Sequence, residues 1–298
     1  MIKIASLGTS TGKIVETGDS CSDIFHLSVA EIRELFKSCG LILFRGFAVH
    51  QKQFKKIAEQ FSSKFVRDDV KIGADSSEGA IHLVNEGMGY IDPHAEAATT
   101  PLRPDAVWFF CDVSAADGGE TLFGDGVQVW SELSEEVKQL FLTKKNKFIH
   151  NIPVANWKRF LGENATLTDV KKALNSFEGV KYTITDEQSV TLGYVCSAVV
   201  KTKYGNDDSF GNGIINEQRT RKVIFEDDSP IPDAAIDEIK EVMDRLTVAI
   251  SWQSGDLVMI DNSRFLHGRQ TFSDSRRKIV FANSMLNFLV SFFLKMGR

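Results

Sequence analysis

The sequence predicts a mostly β protein with covering helices, its core a double-stranded β-helix, or jelly roll, assembled from distant segments. Three observations predict it. Apolar, strand-like runs stand toward both ends of the chain: Leu41–Phe44 and Ala106–Cys111 early, then Val248–Trp252, Leu257–Ile260 and Lys278–Met285 late. A few amphipathic helical patterns lie between them. Internal repeats and low-complexity segments are absent, so strands far apart in sequence must pair to build one core.

Each element has a local reason. Ser28 and Glu31 have the form of a capping box, and Val29, Ile32, Leu35, Phe36 and Cys39 follow at helical spacing up to Gly40, a natural stop. The strand Leu41–Phe44 runs into Arg45-Gly46-Phe47. A second helix carries Phe54, Ile57, Ala58 and Phe61 on one face. Ala106–Cys111 reads as a strand leading to a turn at Gly118-Gly119. Leu133, Val137, Leu140 and Phe141 predict another helix. Ile236, Ile239, Val242, Met243 and Leu246 predict a further one, with Pro232 near its first turn. Residues 1–298 read as a single domain, with a variable insertion at about 150–230 where polar segments, glycines and aromatics mix without a linker.

Composition narrows the function. The chain has 298 residues, 35 Lys plus Arg against 40 Asp plus Glu, and a formal charge of −5. A hydrophobic share of 43% excludes a disordered or collagen-like chain. The acidic balance and the lack of a basic run argue against nucleic acid or an anionic membrane as partner. Phe is over-represented, 22 against 4 Trp and 4 Tyr, which suits a dry interior. Four cysteines, at 21, 39, 111 and 196, lack metal-site spacing and read as free thiols. Met1–Gly18 has no secretory h-region and Phe288–Leu294 is too short to span a bilayer, so a cytoplasmic protein is expected. The expected partner is a small molecule, free or tethered to a carrier, and a homo-oligomer is compatible with the sequence.

Of six histidines, two keep unusual company. His94 and Glu96 stand two apart in Asp92-Pro-His-Ala-Glu96, and on a strand such residues share a face. His267 follows the apolar run Leu257–Ile260 and a polar turn, Asp261-Asn262-Ser263-Arg264. Two imidazoles and a carboxylate on one side of a metal leave three positions open, the facial arrangement of non-haem Fe(II) oxygenases. A His-x-acid pair alone is uninformative, since composition yields roughly one by chance. The neighbours add weight. Gly118-Gly119-Glu120-Thr121 offers a hydroxyl, and Arg276-Arg277 opens an apolar segment, where a buried arginine can grip a carboxylate. A zinc-type hydrolase on the same three ligands, or a non-catalytic jelly-roll binding protein, remain the competing readings at this point.

The ordered set Phe44-Arg45-Gly46-Phe47, His94-x-Glu96, Gly118-Gly119-Glu120-Thr121, Gly255–Asn262, His267-Gly268-Arg269 and Arg276-Arg277 resembles the taurine dioxygenase-like family of Fe(II)/2-oxoglutarate-dependent oxygenases. The resemblance spans about residues 40–285 and implies a cupin-like core. It implies that His94, Glu96 and His267 ligate Fe(II), Glu96 standing where most members have Asp. Thr121 and Arg277 are implied to bind 2-oxoglutarate, with Arg276 as the alternative. Strand parity favours Arg277, which shares a face with Ile279 and Phe281. Asn85, Tyr90 and Phe281 are candidate substrate contacts. Phe281 replaces the second arginine of the sulfonate-oxidising members, which argues against taurine as substrate. The implied reaction consumes O2 and 2-oxoglutarate, releases succinate and CO2, and hydroxylates, desaturates or cyclises at an unactivated C–H bond. Glu96 fills the ligand position that halide needs in related halogenases, so no halogenation is expected.

Overall fold

A computed structural model describes residues 2–18, 23–47, 49–66, 81–84, 87–218 and 223–288. The chain is a mixed α/β protein with several sheets. It opens with an antiparallel pair, β1 (Ile2–Ser6) and β2 (Lys13–Thr17), that sequence periodicity does not announce. Helix α1 (Val29–Cys39) keeps its expected limits: the Ser28 hydroxyl accepts from the Glu31 N–H, and Gly40 terminates the helix at φ +71°. β3 (Leu41–Arg45) follows, then α2 (Gln51–Phe61), which runs directly into β4 (Ser62–Val66). β5 (His82–Leu83), β6 (Ile91–His94), β7 (Ala106–Val113) and β8 (Thr121–Asp125) come next.

The helix expected around Leu133 is split. α3 (Gly126–Glu132) ends at Leu133 and α4 (Glu135–Thr143) restarts, because the Ser134 hydroxyl accepts from the Val137 N–H and caps a new N-terminus. The segment read as an insertion then builds its own antiparallel sheet from β9 (Asn146–Ile152), β10 (Val180–Ile184), β11 (Val190–Cys196) and β14 (Val223–Phe225), in the order β10-β11-β9-β14. Helices α5 (Val154–Leu161) and α6 (Leu167–Asn175), the ribbon β12 (Val200–Lys201) with β13 (Asp208–Ser209), and α7 (Ile214–Gln218) complete it. The chain returns through α8 (Asp233–Leu246), β15 (Val248–Ile250), β16 (Leu257–Asp261), β17 (Phe265–Arg269) and β18 (Lys278–Leu286).

Two sheets position the site. The larger has the order β1-β2-β3-β16-β7-β18-β4, with β5 also on β18, and the smaller is β15-β8-β17-β6. All of these pairings are antiparallel except β2 with β3. The unbroken apolar run of β16 now has a reason. Val258 and Ile260 face a core cluster shared with Phe123 and Phe265 of the smaller sheet, while Leu257 and Met259 join the cluster under α1 and α2, with Phe36, Phe54 and Phe61. A strand buried on both faces needs no alternation. Arg45 of the Phe-Arg-Gly-Phe segment ties β3 to the end of β16: its Nη2 donates to Asp256 Oδ2 at 2.6 Å. Cys39, Cys111 and Cys196 are free thiols, and Cys21 lies outside the described residues.

Candidate active site

The site lies at one end of the smaller sheet. His94 is the last residue of β6 and His267 is central in β17, and the two are direct partners in the strand register. Gly268 permits this approach, since a Cβ there would meet the Ile91 carbonyl oxygen at 2.5 Å. Their rings stand 4.6 Å apart between centroids. Glu96 reaches the same point by another route than the expected one. β6 ends at His94, so Glu96 is not a same-face strand neighbour; it lies in the turn that follows, before Ala97 at φ +51°. Its Oε2 is 3.9 Å from His94 Nε2 and 3.4 Å from His267 Nε2.

One ligand atom from each of these three side chains lies within 4.8 Å of the others, which suits a single metal ion. His94 Nδ1 donates to the Asp92 carbonyl oxygen at 2.9 Å. A carbonyl only accepts, so the Nδ1–H tautomer is set and Nε2 keeps its lone pair for a metal. Phe109 packs edge-on against His267 at 5.1 Å and shields it from water.

The triad shares a pocket with further polar side chains, among them Thr121 and Arg277. Thr121 begins β8, and its Oγ1 accepts from the Trp252 indole N–H at 2.8 Å, both residues being buried. With that lone pair engaged, the hydroxyl hydrogen is free to donate into the pocket. Arg277, just ahead of β18, lines the same pocket, as do Ile279 and Phe281. Its Nε and Nη2 donate to the Gly119 carbonyl oxygen at 3.1 and 2.8 Å, and its Nη1 is buried with no hydrogen-bond partner. Burial, and then repulsion from Arg269, pulls the guanidinium down to about 10, still cationic at neutral pH. A buried cation with an unused donor, in one pocket with a hydroxyl that can donate, fits an anionic ligand such as the distal carboxylate of 2-oxoglutarate.

Arg276, by contrast, is exposed and paired with Asp274. Arg269 is buried, donates to the Gly89 carbonyl oxygen at 2.8 Å and lies over the Phe272 ring. Val84, Ile91, Phe109, Ile279 and Phe281 supply the apolar lining. Tyr90 is half-buried just before β6 and is not among the residues lining the pocket; Asn85 lies outside the described residues.

Sequence reading singles out neither Trp252 nor the role of Gly118-Gly119. Both glycines have positive φ, +63° and +71°, and a Cβ on Gly119 would sit 2.8 Å from Arg277 Nε. The pair therefore does more than turn the chain: it holds out the carbonyl that orients the guanidinium. The local signal was the doubled glycine three residues ahead of Thr121; its partner is 158 positions away.

The family model "Taurine catabolism dioxygenase TauD, TfdA family" matches residues 4–282. The dapdiamide synthesis protein DdaC of Enterobacter agglomerans is 22% identical over 295 residues, covering 87% of this chain and 86% of that protein. The 3-((Z)-2-isocyanoethenyl)-1H-indole synthase of Fischerella ambigua is 21% identical over 285 residues, covering 91% of each. Among solved structures, PvcB of Pseudomonas aeruginosa superposes with a TM-score of 0.64 at 14% identity, over 95% of this chain and 91% of that one. PvcB is described as an Fe, α-ketoglutarate-dependent oxygenase from an isonitrile synthetic pathway. The chain thus belongs to the TauD/TfdA family of Fe(II)- and 2-oxoglutarate-dependent dioxygenases.

Proposed function

We propose that this dioxygenase oxidises an unactivated C–H bond of a small molecule, an amino acid or a natural-product intermediate, free or carrier-tethered, with release of succinate and CO2. The observation that carries the reading is the shared pocket: a half-buried His94 with buried Glu96 and His267, lined also by Thr121 and by Arg277 with its unpaired buried donor. In this reading His94, Glu96 and His267 hold Fe(II), while Arg277 and Thr121 hold the far carboxylate of 2-oxoglutarate. Together, the bound metal and cosubstrate supply the oxidising power, by oxidative decarboxylation in the presence of O2. The protein's share is placement and dryness. Val84, Ile91, Phe109, Ile279 and Phe281 exclude water around the reacting C–H group, and Phe281 favours an apolar or neutral substrate portion. Because Glu96 completes the ligand set, hydroxylation, desaturation or cyclisation is proposed rather than halogenation.

The relatives acting in dapdiamide and isonitrile synthesis support a natural-product substrate. We also read the two sheets around the site as the double-stranded β-helix of one domain. The segment at about 150–230, with a sheet of its own, is then its substrate-facing insertion. The test is an anaerobic titration with Fe(II) and 2-oxoglutarate, followed by a metabolite panel. A substrate-dependent change in the metal-to-ligand absorption band, followed by stoichiometric succinate on admitting O2, is the expected result. A band that never forms would overturn the reading.

A further inference from the structure

The two histidines stand on paired strands, but Glu96 does not. It occupies irregular backbone after β6 and precedes a non-glycine residue with positive φ. A ligand in such a turn needs rigidity from elsewhere. We propose that Asn262 supplies it, as a positioning residue that fixes Glu96 through its main chain; this rests on the reading of Glu96 as a metal ligand.

Asn262 is wholly buried in the turn between β16 and β17. Its Oδ1 accepts from the Glu96 N–H at 2.8 Å, and its Nδ2 donates to the Glu96 carbonyl oxygen at 3.0 Å. The second Nδ2 hydrogen goes to the Pro104 carbonyl oxygen at 3.0 Å. The amide orientation is dictated by these partners, because a flipped amide would face N–H against N–H and oxygen against two carbonyls. Its own N–H donates to the Asp105 carbonyl oxygen at 3.0 Å, and its carbonyl accepts from Arg103. One side chain therefore pairs with both peptide groups of Glu96, as a neighbouring strand would, from 166 positions away. Asn212 braces the preceding residue, its carbonyl accepting from the Ala95 N–H at 3.0 Å.

The geometry also links the ligands to one another. Asn262 lies five residues before His267, and Asp261 sets the intervening turn by accepting from the Ser263 N–H at 2.8 Å. The turn that delivers the second histidine thus grips the backbone of the carboxylate ligand. Loss of the amide would strand two peptide groups of the ligand turn in a dry site and let Glu96 drift. Outer partners of metal ligands typically contribute 10- to 100-fold in metal affinity.

The test uses the full chain freed of metal and titrated with Mn(II) alone, free Mn(II) being read by electron paramagnetic resonance, alongside melting of the metal-free protein. Asn262→Ala should weaken Mn(II) binding about 10- to 100-fold. Asn262→Asp, which still accepts from the Glu96 N–H but cannot donate to the carbonyls, should fall between Ala and wild type. Glu96→Ala is the reference. If it binds Mn(II) like wild type, the ligand reading fails, and the proposal with it. If Glu96→Ala loses affinity while Asn262→Ala stays within threefold of wild type, with only its metal-free melting temperature lowered, Asn262 is merely structural and the proposal is overturned. Should both Asn262 variants fail to fold, hydrogen exchange on the wild type decides. A Glu96 amide already protected without metal supports the clamp, and one that exchanges freely until Mn(II) is added overturns it.

Discussion

Replacing Arg277 with Met separates stability from ligand binding, because the two should move by different amounts. The guanidinium is held at about 10, well below the ordinary arginine value. At 1.36 kcal/mol per pH unit, holding this cation buried and near Arg269 costs the folded protein about 3 kcal/mol. Met removes that cost. It also deprives the buried Gly119 carbonyl of two donors, a loss of about 1–3 kcal/mol. The two nearly cancel, so the metal-free variant should melt within a few degrees of wild type. Affinity for 2-oxoglutarate has no such offset. Truncating one partner of a buried, hydrogen-bonded charge pair costs on the order of 2–5 kcal/mol, about 30-fold to several-thousand-fold in Kd. Calorimetric titration of 2-oxoglutarate into Mn(II)-loaded protein reads the affinity, and Arg276→Met serves as the exposed control, expected to shift Kd less than twofold. An Arg277→Met protein that binds within threefold of wild type, or a larger loss in Arg276→Met, would refute the assignment.

Further outcomes follow from the same geometry. His94→Ala and His267→Ala should each abolish Mn(II) binding and turnover; retained binding in either would remove that residue from the ligand set. Gly119→Ala, strained at positive φ and pressed against Arg277 Nε, should raise the 2-oxoglutarate Kd at least tenfold while leaving Mn(II) affinity within threefold, as read in the same titrations. Trp252→Phe removes the donor to Thr121 Oγ1 and should weaken 2-oxoglutarate by about fivefold, one ordinary hydrogen bond's worth. Adding Thr121→Val to it should then cost much less than Thr121→Val costs alone, and full additivity would break the coupling. The folded-state value of Arg277 lies below that of an exposed arginine, so its penalty is complete below about pH 10 and lifts only as pH climbs from there toward the ordinary arginine value. Arg277 should therefore add no pH dependence to 2-oxoglutarate affinity between pH 7 and 9, measured with Mn(II)-loaded protein. A tenfold change across that window that is absent from Arg277→Met would contradict this.

Whatever depends on neighbours along the chain is legible in the residues alone. The limits of α1 follow from Ser28 and Gly40, whose capping needs only local backbone; the positions of α2 and α8 follow from apolar faces at helical period, and those of β3, β7 and β16 from unbroken apolar runs. The candidates for the metal are legible in the same way, since His94, Glu96 and His267 are distinguishable by their surroundings before any folding. How they meet is a matter of long-range pairing. β6 is four residues long, too short for a period, and Glu96 reaches the cluster from a turn rather than along a strand. The β1–β2 pair was illegible for a related reason: β1 is exposed throughout, so no burial pattern marks it. Arg277 and Arg276 are adjacent and chemically alike; one is buried against Gly119 and the other paired with Asp274, a distinction made by a glycine turn 158 residues upstream. Trp252 on Thr121 and Asn262 on Glu96 are likewise bonds between remote peptides. Their partners are chosen by the pairing of whole strands, and a sequence window shorter than that pairing carries no record of them.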